Sequence, residues 1–482
     1  MKKLIIFILL VLILLFFHSR GLVYYDEGYH LNSAQRILDG QIPYKDFDIT
    51  HTPGSFFLIF LGFKLFGSSV AAGRLVALSN SIILILILYK LLNMITKDYF
   101  ITLLTLLILI AWGPSHVNFS WPIMFCLTTG LSSCYFFLQG IRKKNAQYLF
   151  FAGIFTALTF LFKQNFGAAV LLNAVFIFLL AKNLKQFGYF LYFFAGLSSV
   201  VLVFLLYLLQ TGSLFPFFND LYYHTFIKIV KEGTINTPFI YGPTLAQTII
   251  KFIFYTLPFF ISAIALWISL KAKRDYFFLP SFSLLFYIFG IRPVTDYVHF
   301  VPILSIVGIS LVIISINIHN LTIKSAVIFS WFILISLGFY TALFKPYYRW
   351  QSPLIYDTYF YPRTNVNVFV ETNNAQEITQ ITAYVDKYTK PHDYIFINYY
   401  VPMIYFLTGR RNPTRFDYLS PSELSDNYEN KVVQDLKDKK VSLVITSTLY
   451  EGEQTIISNY ISKNYYQDSK INNFLIWRKL PS

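Results

Sequence analysis

The sequence is short of charge. Only 13% of its 482 residues are Asp, Glu, Lys or Arg, against roughly 25% in an ordinary soluble chain. Together with a hydrophobic share of 56% and a mean hydropathy of +0.54, this leaves too little polar surface to wrap a water-soluble particle. An ordinary soluble enzyme, a disordered chain and a coiled coil are all excluded. Cysteine is nearly absent. The only two, Cys126 and Cys134, lie eight residues apart in one apolar run. That is about 12 Å along a helix axis, too far for them to pair, so no disulfide staples any part of the chain. Walker A, dinucleotide-binding and Gly-x-Ser-x-Gly signatures are missing too, as are internal repeats and low-complexity linkers.

The chain has long apolar runs and a positive excess. Lys and Arg number 39 against 24 Asp and Glu, a net charge of +15. In a soluble protein that balance would suggest nucleic acid. Here the excess is confined to one part: residues 1–343 carry 23 basic and 10 acidic groups, residues 344–482 carry 16 and 14. A membrane-spanning helix needs about 20 mostly apolar residues. Candidate spans run over Leu4–Phe17, Val70–Leu92, Tyr99–Trp112, Trp121–Gly140, Gln147–Phe162, Gly167–Ala181, Phe187–Leu209, Leu245–Leu270, Phe277–Gly290, Phe300–Ile318 and Ala326–Leu343. The first is read as a retained membrane helix, because no small-x-small cleavage site follows it.

Alternate connections hold Lys90 and Lys97, Arg142-Lys143-Lys144, Lys182 and Lys185, Lys271, Lys273 and Arg274, and Lys324. The positive-inside rule makes these cytoplasmic, together with Lys2-Lys3. The opposite side then receives Gly21–Ser69, Gly113–Ser120, Lys163–Phe166, Thr211–Thr244, Ile291–His299 and the tail. Eight of the ten acidic residues of the membrane part fall there: Asp26, Glu27, Asp39, Asp46, Asp48, Asp220, Glu232 and Asp296. Chemistry is expected on the outer face, and nucleic acid is not a partner. The reading is an α-helical polytopic membrane protein of about eleven transmembrane helices. Its membrane domain is 1–343, with a first outer loop at 21–69, and 344–482 forms a small extracytoplasmic α/β domain. In that domain Glu377–Lys390 and Tyr428–Lys440 read as helices, and Tyr394–Asn398, Val441–Thr446 and Phe474–Arg478 as strands.

Ionisable groups are densest in the first outer loop. Asp26 follows directly on the first span, where a carboxylate can deprotonate an acceptor hydroxyl, with Glu27 beside it to raise its pKa. A solvated acidic loop within an aromatic belt fits the same residues. Cations at the outer ends of spans, Arg74, Lys163, Arg292 and His299, can stabilise a leaving phosphate. Lys163 can equally snorkel, and Arg292 can pair with Asp296. The Pro53-Gly54-Ser55 turn opens the apolar run Phe56–Phe66, a phosphate-binding helix start or the cap of an interfacial helix. Arg410, Arg411 and Arg415 are either contacts for an anionic acceptor or a solvated basic edge.

These residues resemble, as an ordered set, the polytopic GT-C glycosyltransferases, which include the protein O-mannosyltransferases and the lipid A aminoarabinose transferases, a bacterial family-39 type. Asp26-Glu27-Gly28-Tyr29-His30 is similar to their Asp-Glu-x-x-His/Tyr motif. Asp48-Ile49-Thr50-His51-Thr52-Pro53-Gly54 resembles the later Asp-x-His-Pro-Pro segment, departing from it at Thr52. Arg74 resembles an arginine often found at the next span. Phe162-Lys163-Gln164-Asn165 resembles a Lys-Gln outer turn, and Tyr405–Arg410 with Pro413–Phe416 resembles their outer domains.

The resemblance implies an inverting glycosyltransferase of the inner (cytoplasmic) membrane, with N-terminus cytoplasmic and tail extracytoplasmic. It would move a sugar from a polyprenyl-phosphate donor to a lipid, glycan or protein hydroxyl. Asp26 and Glu27 would be catalytic. Asp48, His51, Arg74, Lys163, Gln164, Arg292, Tyr297 and His299 would bind substrate or phosphate. Some relatives need a divalent cation and others none; His30, His51 and His299 show no tight metal-ligand spacing. A lipid-linked glycan polymerase or ligase, a polytopic lipid or solute transporter, and a non-catalytic scaffold are the alternatives.

Overall fold

The computed structural model describes residues 2–181, 187–222, 243–291, 297–318, 320–345, 353–363, 365–398, 401–417, 426–448, 452 and 454–481. Among the described residues the elements of the membrane part are helices: α1 (Lys2–His18), α2 (Asp26–Leu38), α3 (Gly54–Phe66), α4 (Val70–Ile95), α5 (Tyr99–Trp112), α6 (Pro122–Lys143), α7 (Gln147–Phe162), α8 (Gln164–Leu180), α9 (Phe187–Thr211), α10 (Leu214–Tyr222), α11 (Leu245–Lys271), α12 (Phe278–Gly290), α13 (Tyr297–Leu304), α14 (Val307–Asn317) and α15 (Leu321–Phe344). Six described stretches are long and apolar enough to cross a membrane: Val70–Ile95, Pro122–Lys143, Gly188–Thr211, Leu245–Lys271, His299–Asn317 and Leu321–Phe344. Six more apolar helices are shorter, α3 among them. The chain is a multi-pass membrane protein. Each expected span lands on a helix, and the tenth breaks into α13 and α14 at residues 305–306, where the Ser305 and Ile306 N–H groups bond three residues back, to Pro302 O and Ile303 O.

Small and hydroxyl residues hold the bundle together. Helix α6 is enclosed along nearly its whole length, yet it contains Thr128, Thr129, Ser132 and Ser133. Thr128, Thr129 and Ser132 return their hydroxyls to carbonyls one turn back, and Ser133 donates to Ala152 O of α7. No hydroxyl there is left unpaired in an apolar surrounding, the condition for polar groups inside a bilayer. Helices α7 and α9 touch through facing glycines. A Cβ on Gly153 would sit 2.0 Å from the Phe193 carbonyl, and one on Gly196 would sit 1.9 Å from that of Phe150. Cys126 and Cys134 are buried free thiols.

The tail forms an α/β unit. It contains a hairpin of β1 (Tyr359–Tyr361) and β2 (Val368–Val370), then α16 (Thr372–Tyr388), β3 (Phe396–Asn398), α17 (Met403–Thr408), α18 (Asp426–Asp438), β4 (Leu443–Ser447), α19 (Ile456–Asn464), β5 (Tyr465–Ile471) and β6 (Phe474–Lys479). The sheet order is β3-β4-β6-β5. Strands β3 and β4 run parallel and the remaining pairs antiparallel.

Strand alternation sends the two faces to different cores. Phe396 and Val444 pack with Val432, Leu436 and Ile457 of α18 and α19. Ile395, Ile397, Leu443 and Ile445 pack with Ile378, Ile381 and Val385 of α16, and with Met403 and Ile404. This second core runs on without a break into Leu31 and Ala34 of α2, Ile59 and Phe63 of α3, and Val70 and Ala72 of α4. The tail unit, the outer unit expected above, and the first loop are therefore sealed to each other by apolar packing. Gly28 marks the tightest point: a Cβ there would lie 2.4 Å from the Met403 backbone nitrogen.

Candidate active site

The site is built where α1 hands the chain to α2. Asn118 donates its side-chain amide to Phe17 O and Arg20 O, satisfying carbonyls left open at the end of α1. Arg74, at the start of α4, donates to Arg20 O, Gly21 O and Asn118 O, and with Nε and Nη2 to both carboxylate oxygens of Glu27. Glu27 also accepts the Val23 backbone N–H at 3.0 Å. Both side chains are buried, 3% and 2% exposed. Arg74 and Glu27 thus satisfy each other and pin the entry to α2.

Asp26 precedes Glu27 in the first turn of α2 and is half-buried. Consecutive helical residues are rotated by about 100°. With Glu27 committed to Arg74, its neighbour is directed elsewhere. The Asp26 carbonyl accepts from His30 Nδ1 at 2.6 Å. Burial pushes the His30 pKa down to about 4; the bond to Asp26 opposes this and the charge of Lys163 adds to it. The His30 ring stacks on His51 and Phe56, with centroids 5.5 and 5.1 Å apart.

The second half of the first loop is clamped from three sides. Tyr44 donates its hydroxyl to His51 O at 2.8 Å, and Tyr29 accepts the Thr50 N–H at 3.2 Å. Burial, with the charge of Asp48 adding, raises the Tyr29 pKa. Thr52 Oγ1 donates to Phe160 O, near the end of α7, at 2.6 Å. A Cβ on Gly54 would meet Leu161 O at 2.6 Å. This seats the Asp48–Gly54 segment against the α7–α8 junction, where Lys163 and Gln164 stand. The tail holds the third side. Asp48 N donates to Arg415 O, Arg415 donates to Tyr44 O and to the Asp220 carboxylate, and Arg36 of α2 donates to Asp417 at 2.7 Å.

Asp26, His51, Lys163 and Gln164 are thereby brought into one neighbourhood, with Asp48 behind its pinned backbone. Glu27 and Arg74 form a pair of their own. Tyr297 and His299 stand apart, edge-on to His116 at 6.4 Å and to Trp121 at 6.0 Å. Trp121 and Phe119 connect this group to Arg74. Arg292 and Asp296 lie outside the described residues. Two expectations need correction. Arg74 has every N–H donor occupied by protein groups. Arg410 and Arg415 are not a solvated edge: Arg410 is buried against Thr389, Thr408 O and Asp386, and Arg415 braces the first loop through Tyr44 O and Asp220.

The sequence reading passed over His30 and Phe56 as site members. The four-residue spacing from Asp26 to His30, one helical turn, was the available signal for the first. Among the described residues no group of three or more His, Cys, Asp or Glu side chains is gathered to hold a metal ion.

The model of the dolichyl-phosphate-mannose-protein mannosyltransferase family matches residues 50–210, about a third of the chain. No curated protein matches. Among solved structures, ArnT from Cupriavidus metallidurans in the apo state is 12% identical with a TM-score of 0.60, covering 99% of this chain and 98% of that one. The same protein bound to undecaprenyl phosphate is 13% identical with a TM-score of 0.57, covering 100% and 98%.

Proposed function

We propose, on the premise that this chain has the GT-C fold and bears out that resemblance, that it is an integral-membrane glycosyltransferase. It takes a sugar from a polyprenyl-phosphate donor and gives it to a lipid, glycan or protein hydroxyl on the outer face of the cytoplasmic membrane. Residues 1–343 are taken as the catalytic membrane domain and 344–482 as its extracytoplasmic partner. The observation that carries the reading is the placement of Asp26. It is a half-buried carboxylate on the first turn of α2, held by the Glu27–Arg74 pair and adjoining the neighbourhood of His51 and Lys163.

In this reading Asp26 accepts the proton of the acceptor hydroxyl. The freed oxygen forms a bond to the anomeric carbon while the bond from that carbon to the phosphate oxygen breaks, inverting the centre. The lipid phosphate leaves with the bonding pair, and Lys163 meets its growing charge. Glu27 and Arg74 act as positioning residues. The side distribution of Lys and Arg supports the outer-face assignment. Undecaprenyl phosphate, bound in the solved ArnT structure, supports the donor class. Mid-membrane acidic groups of the kind a transporter uses do not feature in the site.

The test is transfer of radiolabel from a polyprenyl-phosphate sugar to lipid and protein acceptor fractions by purified protein. Asp26→Asn should lose about 10²–10⁴-fold in rate while still binding donor. Full transfer by this variant would remove Asp26 as base.

A further inference from the structure

His30 carries a buried ring nitrogen with nothing to bind. Its Nδ1 lies 2.6 Å from the Asp26 carbonyl. A carbonyl has no proton, so Nδ1 must carry the hydrogen. In the neutral ring Nε2 is then a bare lone pair, an acceptor only. His30 is 4% exposed, and among the described residues Nε2 has no hydrogen-bond partner. Burial and the charge of Lys163 both hold the ring in the neutral form, with a pKa of about 4. Gln164 Oε1, beside Lys163, is a second buried acceptor without a partner. Buried acceptors are seldom left unpaired, because the lost solvation is not returned.

The two orphans ask for the same thing: a group that brings a proton. A polyprenyl-phosphate sugar is a phosphodiester, and its ionised phosphate has no proton to offer. Its sugar has several hydroxyls.

We infer that His30 is a specificity-determining residue that accepts a hydrogen bond from a hydroxyl of the donor sugar, one helical turn from Asp26, while Lys163 serves the phosphate. This rests on the glycosyl-transfer reading. It also divides the donor between two recognition chemistries, lone pairs for the sugar and a cation for the phosphate.

The experiment measures binding to the full chain in lipid nanodiscs for wild type, His30→Phe and His30→Gln. The ligands are undecaprenyl phosphate and undecaprenyl-phosphate mannose, glucose and galactose. Wild type should bind at least one sugar lipid more tightly than undecaprenyl phosphate. His30→Phe keeps the flat ring and removes the acceptor, so it should weaken that sugar lipid about tenfold and leave undecaprenyl phosphate unchanged. His30→Gln, which restores an acceptor oxygen, should recover part of the loss and decides the matter should His30→Phe not fold. Equal weakening of both ligand classes would assign His30 to the phosphate and overturn the inference. So would no weakening of either, or a wild type that binds undecaprenyl phosphate but favours no sugar; each of these leaves the lipid-phosphate reading standing. Binding of none of the four lipids would instead fell the proposed function, and this inference with it.

Discussion

Arg74 closes on Glu27 with two nitrogens of its guanidinium and spends its remaining N–H groups on the backbone carbonyls of Arg20, Gly21 and Asn118. The pair is buried and self-contained. It fixes the direction in which the chain leaves α1 and starts α2, so the catalytic proposal for Asp26 depends on it.

Breaking this pair should therefore appear in stability as well as rate. Removing one partner of a buried pair typically costs about 3–5 kcal/mol. Glu27→Gln is expected to lower the melting temperature of the purified protein and its transfer rate together, whereas Asp26→Asn lowers only the rate. The double variant Glu27→Gln with Arg74→Met should regain part of the melting temperature. Full recovery is not expected, because Gly21 O loses its arginine donor, and Arg20 O and Asn118 O each lose one of two partners. Thermal melts beside transfer assays separate the cases. A Glu27→Gln protein that melts like wild type would show that the pair does not hold the loop.

Gly28 should tolerate nothing larger. Ala there would drive a methyl to 2.4 Å from the Met403 backbone, an overpacking of about 1–3 kcal/mol at the contact between the outer unit and α2. The expected result is faster release of the outer unit in limited proteolysis, with a parallel fall in transfer. Equal digestion rates for Gly28→Ala and wild type would contradict the packing described here.

Asp357 gives the outer unit a pH dependence of definite sign. Burial raises its pKa from the ordinary value of 3.8 to about 7, opposed by the Glu371 N–H and by the charges of Arg74 and Arg20. A carboxyl raised in the folded state binds its proton more tightly than in the unfolded state. Its contribution to stability is complete below about pH 4 and is lost as pH rises to about 7. Wild type should lose melting temperature across that window relative to Asp357→Asn, in which this contribution is absent. Parallel melting curves for the two proteins from pH 4 to 8 would rule it out.

The membrane part was legible because hydropathy acts along the chain: apolar runs became helices. Helix α2 was not legible as a helix. It is polar, has a glycine three residues in and lacks a capping side chain, so its stability comes from Arg74, Asp417 and Met403, all distant in sequence. In the tail, β3, β4 and β6 showed as apolar runs. Strand β5 did not, because five of its seven residues, Tyr466 to Lys470, lie outside the buried core. Of the candidate site, the residue types were readable and their partners were not. Glu27 and Arg74 both stood out, yet nothing in the sequence says that these two residues, 47 positions apart, neutralise each other. Arg415 resembled a binding residue because its carboxylate, Asp220, sits 195 positions earlier.

The bond from Arg36 to Asp417 spans 381 positions, and it has a bearing on assembly. During synthesis the segment bearing Asp26 emerges among the first residues, but the surface it packs against is translated near the end. Until Met403, Arg415 and Asp417 have been made and folded, α2 lacks the contacts that make it a helix. A nascent chain with every membrane helix already inserted would still be inactive. Under the proposed glycosyl transfer, activity should then switch on late and all at once, which would keep half-made copies from consuming lipid-linked sugar.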